Sequence, residues 1–468
     1  VKICVEAQKM LDRVCLMDQW VTDTTPGALV FVISGISLLL FFALPKFKER
    51  KALVGKPTPT NSLPPELQLT RPDEIEAMKL LRQELETELA SMPPCEDLRG
   101  ERRLLRFLRG NGCSVDAAAQ AFREQLKWRL EENVDEIHES VALLPWSMTA
   151  HPELAKKCET LSRILPFHMD EGLRTPAGHI VWLELSARLN LQAANEMPDE
   201  DFKRNWFSLM ELRSRVLDEL SSEKQRLIKV VQIRDLRGLT PSFYMSIVRN
   251  ARLLGRIKTV ISTSMKGHPE SIDTSWLLNV PGFFPAIWGL FSPLMNDNMR
   301  SKIRIVAFPH DPQILVDVGG LDVLLAMTQL SAEGLPCPGS RNALVQAGNF
   351  LDLAIRLSCG DRLNWDWTGL DLEFSCTEFK GTDGVDNCIN VVQARRMNEH
   401  RGVYIASSSS ICVFRWSNIH AWRFARSMGY NISLQSGSDA VSTSVRAMRA
   451  STQSRRDVAS CCLAPCWS

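Results

Sequence analysis

Charge disappears for 22 residues between Asp23 and Lys46, and Ala28 to Leu44 reads ALVFVISGISLLLFFAL, with 12 of 17 positions Leu, Ile, Val or Phe. With Gly27 and Pro45 the run reaches the ~20 residues that span a ~30 Å hydrocarbon core. At ~0.3–0.6 kcal/mol each, the large apolar residues favour insertion by roughly 4–7 kcal/mol. The expectation is a transmembrane helix over 27–45. A signal peptide and a buried core helix are the competing readings. The first suits the pattern poorly, because residues 1–26 precede the run and PKFKER follows it without a small-residue cleavage site. An amphipathic stripe, which a half-exposed helix needs, is absent. Lys46, Lys48, Arg50, Lys51 and Lys56 follow the run, whereas only Lys9 and Arg13 precede it nearby. The positive-inside rule then puts everything after residue 46 in the cytosol, a single-pass arrangement.

Residues 46–69 are basic and then proline-rich, with Pro57, Pro59, Pro64 and Pro65, and read as a semi-extended linker. Helical spacing follows. Thr70 with Asp73 resembles a capping box, Ile75, Met78, Leu81, Leu85 and Leu89 form a stripe, and Pro93–Pro94 end it. A second helix is expected over about 97–109 and a third from Ser114, with Val115, Ala119, Phe122, Leu126 and Leu130 inward. Residues 70–135 thus read as a small helical bundle.

Beyond His151 the pattern alternates between helices and short β-branched runs: Ile180–Leu185, Ile228–Ile233, Thr259–Ile261 and Ile303–Phe308. Runs that are nearly all apolar suit strands buried on both faces of a largely parallel sheet, and the alternation predicts an α/β domain over 145–322. From about residue 331 periodicity fades, Lys380 is the last lysine, and Ser407–Ser410 is low in complexity. A Cys/Ser/Arg-rich, poorly ordered extension is expected for 331–468.

Composition removes several classes of function. Lys+Arg is 55 against Asp+Glu 54, a net charge of +1, so the basic excess of a general nucleic-acid binder is missing. Thirteen cysteines, eight of them after residue 336 and none in a CxxC pair, argue against a disulfide framework or a zinc ribbon. No GxSxG, GxxxxGK[ST], GxGxxG or HExxH occurs, and the histidines are scattered. No catalytic residue, metal ligand or cofactor is expected, and the protein does not read as an enzyme. The most unusual stretch is Leu277–Pro293, LLNVPGFFPAIWGLFSP, where Phe283, Phe284, Ile287, Trp288, Leu290 and Phe291 stand with almost no charge between them. It reads as either an internal core helix or a lid over an apolar cavity whose opening exposes surface that lipid tolerates and water does not.

Four segments taken together resemble the CRAL-TRIO lipid-binding family, which includes cellular retinaldehyde-binding protein, the α-tocopherol transfer protein and the phosphatidylinositol/phosphatidylcholine transfer proteins. They are RRLLRFLRGNGCSVDAAAQAFREQLKWRLEENVD (102–135), IKVVQIRDLRGL (228–239) with Asp235 and Gly238, the segment 268–303, and ILVDVGGLD (314–322) with Gly319–Gly320. The resemblance implies a CRAL-TRIO α/β fold: a mainly parallel sheet flooring an apolar pocket that a mobile gate helix closes. On it, Phe283, Phe284, Ile287, Trp288, Leu290 and Phe291 become the gate, and Val231 and Ile233 become candidate floor residues. In the resemblance, family members that bind phosphatidylinositol carry an acidic residue and a lysine where this chain has Asn250 and Ser292. Those two positions, with Arg249, are the headgroup candidates, and Arg249, Arg252 and Arg256 lie at helical spacing. The expected partners are a membrane and a hydrophobic lipid, phospholipid or isoprenoid/sterol-like, with no nucleic acid. The reading is a membrane-anchored lipid-binding and transfer protein, and the alternative is a membrane-tethered scaffold or regulatory protein with a degenerate pocket.

Overall fold

The computed structural model describes residues 72–141, 152–332, 334–381, 388–421 and 423–437. The expected transmembrane helix, the linker and the Thr70 cap lie outside them. A five-stranded sheet lies at the centre, in the order β1 (Phe167–Arg174), β2 (Ile180–Glu184), β3 (Val230–Asp235), β4 (Ile272–Val280), β5 (Ile303–Ala307). β1 runs antiparallel to β2, and β2 to β5 are mutually parallel. This is the mixed α/β class with a largely parallel sheet that the alternation predicts. One expected strand is corrected. Thr259–Ile261 lies inside helix Ala251–Ser262, because its β-branched residues continue a helical stripe through Leu253, Ile257 and Val260, and the strand is instead Ile272–Val280.

Strand alternation gives the sheet two different faces. Ile180, Trp182 and Val230 point toward helix Asp199–Lys224 and pack with its Leu209, Met210, Val216 and Leu217. Val181, Leu183, Val231 and Ile233 point the other way, onto Leu315, Val316, Val323 and Leu324 of helix Gln313–Ser331. That helix is, among the described residues, the one long and apolar enough to cross a membrane by length and composition, yet its Leu315, Val316, Val323, Leu324 and Met327 are buried between two sheets. Gly319 and Gly320 break it. Gly320 takes φ +76°, which only glycine adopts readily, and a Cβ on Gly319 would stand 2.4 Å from Val323 Cγ2.

The second sheet corrects the expectation of a poorly ordered extension. Six antiparallel strands occupy its described part: β6 (Gly339–Val345), β7 (Phe350–Leu357), β8 (Arg362–Lys380), β9 (Cys388–Ile405), β10 (Ser410–Ser417) and β11 (Arg426–Gln435). The order is β6-β11-β8-β10-β7, with β9 on β8. Trp365, Trp367 and Phe374 of β8 meet Phe414 and Trp416 of β10 in a core of rings, with Trp367 and Phe374 centroids 5.1 Å apart and Phe374 and Trp416 5.4 Å apart. Serine, arginine and aspartate on the outward positions hid this pattern from composition. Ser410 even has a structural task, donating its hydroxyl to the buried Glu378 carboxylate at 2.7 Å. Ala354, Phe379, Ile411 and Val413 of this sheet complete the apolar cluster around helix Gln313–Ser331.

Polar bonds finish the junction between the sheets. Arg415 donates twice to Asp352, at 2.7 Å each, and once to the His310 carbonyl at 3.1 Å, and its guanidinium lies 4.2 Å from the Phe350 ring centroid. Asn279 Oδ1 accepts from the His310 backbone N–H at 2.9 Å, and Asn279 Nδ2 donates to Asp235 at 2.7 Å.

The RRLLRFLR segment forms helix Glu101–Gly110. Its leucines and Phe107 are buried against Leu81, Leu85 and Phe122, and three of its arginines reach into the α/β region. Arg103 donates to the Gly267 carbonyl at 2.7 Å, Arg106 to the Ile228 carbonyl at 2.8 Å, and Arg102 grips Asp218 with two bonds of 2.6 Å.

Two outcomes follow for stability. Leu324→Ala opens a cavity in the shared cluster, and denaturant titration should show a loss of ~2–5 kcal/mol. Burial pushes His179 and His310 down to about 4 and His268 to about 3, against 6.5 for the free side chain. These histidines stay neutral in the fold while the unfolded chain takes up protons below pH ~6.5. Stability should therefore fall as pH drops from about 6.5 toward 4, and denaturation midpoints of His310→Asn should show a weaker slope.

Candidate functional site

Helix Phe284–Phe291 follows β4 after Pro281–Gly282 and carries no charged residue. Phe284, Ile287, Trp288 and Phe291 recur at i, i+3, i+4 and i+7, one helical face, and all four line a cavity of about 320 Å³. That volume sits at the lower end of the ~300–1,000 Å³ typical of small-molecule sites. The opposite helix face is apolar too: Ala286, Gly289 and Leu290 are exposed, Leu290 to 38%. The helix rests on its neighbour Pro241–Val248, which has no fully buried residue, through Tyr244. The Tyr244 hydroxyl donates to the Ala286 carbonyl at 3.3 Å, and its ring lies 6.4 Å from that of Phe283.

The cavity floor is the face of the sheet that also packs on helix Asp199–Lys224. Trp182 and Glu184 from β2, Arg234 from β3, Ser275 and Leu277 from β4 and Ile303 from β5 line it. Val231 and Ile233, the expected floor residues, lie on the opposite face against helix Gln313–Ser331. The reason is parity: the floor of β3 belongs to the positions of Val230 and Arg234, and a one-residue offset reverses every side chain. Of the expected gate residues, Phe284, Ile287, Trp288 and Phe291 line the cavity, whereas Phe283 and Leu290 do not figure in its wall.

None of the headgroup candidates reaches the cavity wall. Asn250 caps helix Ala251–Ser262 by accepting from Leu253 N at 3.0 Å and donates to Asn195 at 2.8 Å. Ser292 offers its carbonyl to Arg300 at 3.2 Å. Arg249 is exposed at the end of helix Pro241–Val248. Arg252 and Arg256 are not a free basic face, because both bind Asp199, at 2.9 and 2.7 Å. Arg256 is buried, lies 4.9 Å from the Phe202 ring centroid and also donates to the carbonyls of Ala194 and Met197.

Sequence reasoning missed the polar floor. Glu184 and Arg234 face each other in register across β2 and β3, with Arg234 Nε 3.4 Å from Glu184 Oε2. Ser186 donates to the other carboxylate oxygen at 2.5 Å. Arg234 Nε is buried and makes no hydrogen bond among the described residues. A charge pair set in an apolar wall is costly unless its donors find acceptors. The signal was present in the sequence: Arg234 is a cation in the strand VVQIRD, at a position that parity places with Val230 on the floor.

Residues 176–314 match the CRAL/TRIO domain model. Patellin-4 of Arabidopsis thaliana is 25% identical over 206 residues, covering 44% of this chain and 33% of Patellin-4. The SEC14 cytosolic factor of Eremothecium gossypii is 26% identical over 237 residues, covering 50% of this chain and 66% of that protein. The chain thus spans between a third and two thirds of these relatives. Among solved structures, that of Sfh5 is similar over 53% of this chain and 84% of its own, at 16% identity and a TM-score of 0.38. The family is one of lipid-binding transfer proteins and not of enzymes. The cavity, the apolar helix Phe284–Phe291 and the matched segment coincide in one region, and residues 176–314 carry the CRAL-TRIO domain.

Proposed function

We propose that this protein is a membrane-anchored lipid carrier whose cytosol-facing domain holds one lipid beneath helix Phe284–Phe291 and exchanges it when that helix swings outward. The observation that carries the reading is a helix apolar on both faces, one lining a cavity and the other exposed. Water penalises the outer face and the opened cavity alike, and a bilayer surface relieves both penalties. Each CH₂ of an acyl chain moved into the cavity gains ~0.8 kcal/mol relative to water, so the lid and floor offset the cost of leaving the bilayer. No covalent step is involved.

The Glu184–Arg234 pair supplies polarity at the floor. Its guanidinium donors favour a lipid with acceptor oxygens near the sheet and its tail along Phe284, Ile287 and Phe291. Residues 27–45 anchor the chain and the linker of 46–69 gives reach. A tethered carrier of this kind works at one membrane, across a contact site, or by presenting lipid to a neighbouring enzyme.

Two measurements test the reading. In the first, the full chain is reconstituted in vesicles and mixed with vesicles holding a self-quenched fluorescent phospholipid. Dequenching is expected with the native protein, and Ser275→Trp, which fills the cavity from its floor, should slow it at least about tenfold, or ~1.4 kcal/mol. Equal rates for the variant and the native chain would contradict a cavity-borne lipid. In the second, the double variant Glu184→Gln/Arg234→Met removes the charges together, so that neither is left alone in the wall. It should lose about tenfold in affinity for a fluorescent phospholipid, again ~1.4 kcal/mol, and keep its affinity for a hydrocarbon fluorophore.

A further inference from the structure

The sequence shows no familiar metal-ligand spacing, yet the fold gathers three ligand-type side chains outside the lipid cavity. Cys95 immediately precedes the short helix Glu96–Arg99, Asp97 lies within it, and His138 comes from helix Val134–Val141. Cys95 Sγ is 2.6 Å from Asp97 Oδ1, His138 Nε2 is 3.6 Å from Asp97 Oδ2, and Cys95 Sγ is 3.9 Å from His138 Nε2. Among the described residues, this is the group of His, Cys and carboxylate side chains whose ligand atoms all lie within 4.8 Å of one another.

A second observation concerns the other side of the imidazole. His138 Nδ1 stands 2.9 Å from Glu211 Oε2. Glu211 is itself fixed in the interior by Arg129, whose Nη1 lies 3.1 Å from both carboxylate oxygens. A buried carboxylate that accepts from one ring nitrogen sets the tautomer, so the lone pair of the other nitrogen faces outward toward a ligand. Here that lone pair faces a carboxylate and a thiol. The 3.6 Å between Nε2 and Oδ2 is too long for a hydrogen bond. It equals the edge of a tetrahedron around one metal ion: ligand atoms ~2.0–2.3 Å from zinc stand ~3.3–3.8 Å apart. Cys95 Sγ, 3.9 Å from His138 Nε2, lies within a few tenths of an ångström of the same edge length.

The geometry points to a divalent transition-metal site, best suited to zinc, formed by Cys95 Sγ, Asp97 Oδ2 and His138 Nε2, with Glu211 orienting the histidine. A thiolate, an imidazole and a carboxylate together select zinc-like ions over magnesium or calcium. On binding, the Cys95 thiol loses its proton to solvent, the sulfur–metal bond forms, and a water fills the fourth position. The site ties the segment before helix Glu101–Gly110 to helix Val134–Val141 and, through Glu211, to helix Asp199–Lys224, the long helix whose Phe202 and Trp206 line the cavity. Its role is therefore that of a staple between the N-terminal helices and the α/β region.

The test uses the full chain in detergent, stripped with a chelator and titrated with Co²⁺ or Zn²⁺ alone. The native protein should take up about one Co²⁺ with a thiolate-to-cobalt charge-transfer band and tetrahedral d–d bands. Cys95→Ser should abolish the charge-transfer band, and Glu211→Gln should weaken binding by ~10–100-fold without removing a ligand. Zinc should raise the melting temperature of the native chain and leave that of Cys95→Ser unchanged. Circular dichroism checks the fold of each variant. If Glu211→Gln does not fold, Cys95→Ser and Asp97→Asn decide. A folded native chain that shows no thiolate–cobalt band overturns the proposal. So does a band that Cys95→Ser leaves intact, which assigns the metal to another cysteine.

Discussion

The burial of helix Gln313–Ser331 between the two sheets is the constraint from which the rest follows. Val181, Leu183, Val231 and Ile233 spend one face of the parallel sheet on this helix, and Ala354, Ile411 and Val413 spend one face of the antiparallel sheet on it. The parallel sheet then has one face left for a ligand, and only on that face can a cavity form. The glycine break at Gly319–Gly320 lets the helix follow both surfaces. The antiparallel sheet is thus no appendage, because it completes the core that fixes the cavity floor from behind.

On the free face, two kinds of packing coexist. Next to helix Asp199–Lys224 the core is closed, with Leu209, Met210 and Leu212 fully buried. Under helices Pro241–Val248 and Phe284–Phe291 it is open, and Phe284 is the one residue of either helix that is fully buried. Elements with few buried contacts open at lower free energy than the core around them. The contrast supports the proposed division into a rigid floor and a lid that opens. The absence of charge on helix Phe284–Phe291 fits that proposal: a charged residue on its inner face would need a partner in an apolar cavity, and one on its outer face would oppose the proposed contact with a bilayer.

Sequence patterning reached some of this and stopped at identifiable points. β2 and β3 were legible because strands buried on both faces read as continuous apolar runs, and β5, a half-exposed edge strand, showed through its β-branched Ile303, Ile305 and Val306. The inward face of helix Phe284–Phe291 was legible from i, i+3, i+4 and i+7 spacing, which picks out Phe284, Ile287, Trp288 and Phe291. Parity was not: nothing in VVQIRD says whether Val231 and Ile233 or Val230 and Arg234 face the cavity until the helix behind the sheet is placed. The second sheet escaped because β8 and β9 alternate apolar with serine, arginine, asparagine and glutamate, and a composition window averages such an alternation away. Cys95, Asp97 and His138 escaped because their proximity spans 43 positions of sequence and depends on how three helices cross. Asn250 shows the opposite failure. Its position in the chain suggested a ligand contact, but its side chain is committed to capping a helix and to Asn195.

The central claim is that one lipid occupies the space between the sheet and helix Phe284–Phe291. Native mass spectrometry of the full chain released from detergent micelles tests it most directly. The account predicts a protein ion carrying a single lipid that survives collisional removal of the detergent, with fragmentation identifying an oxygen-bearing headgroup. A folded chain that appears only as the bare protein, even after incubation with mixed lipid vesicles, would contradict it.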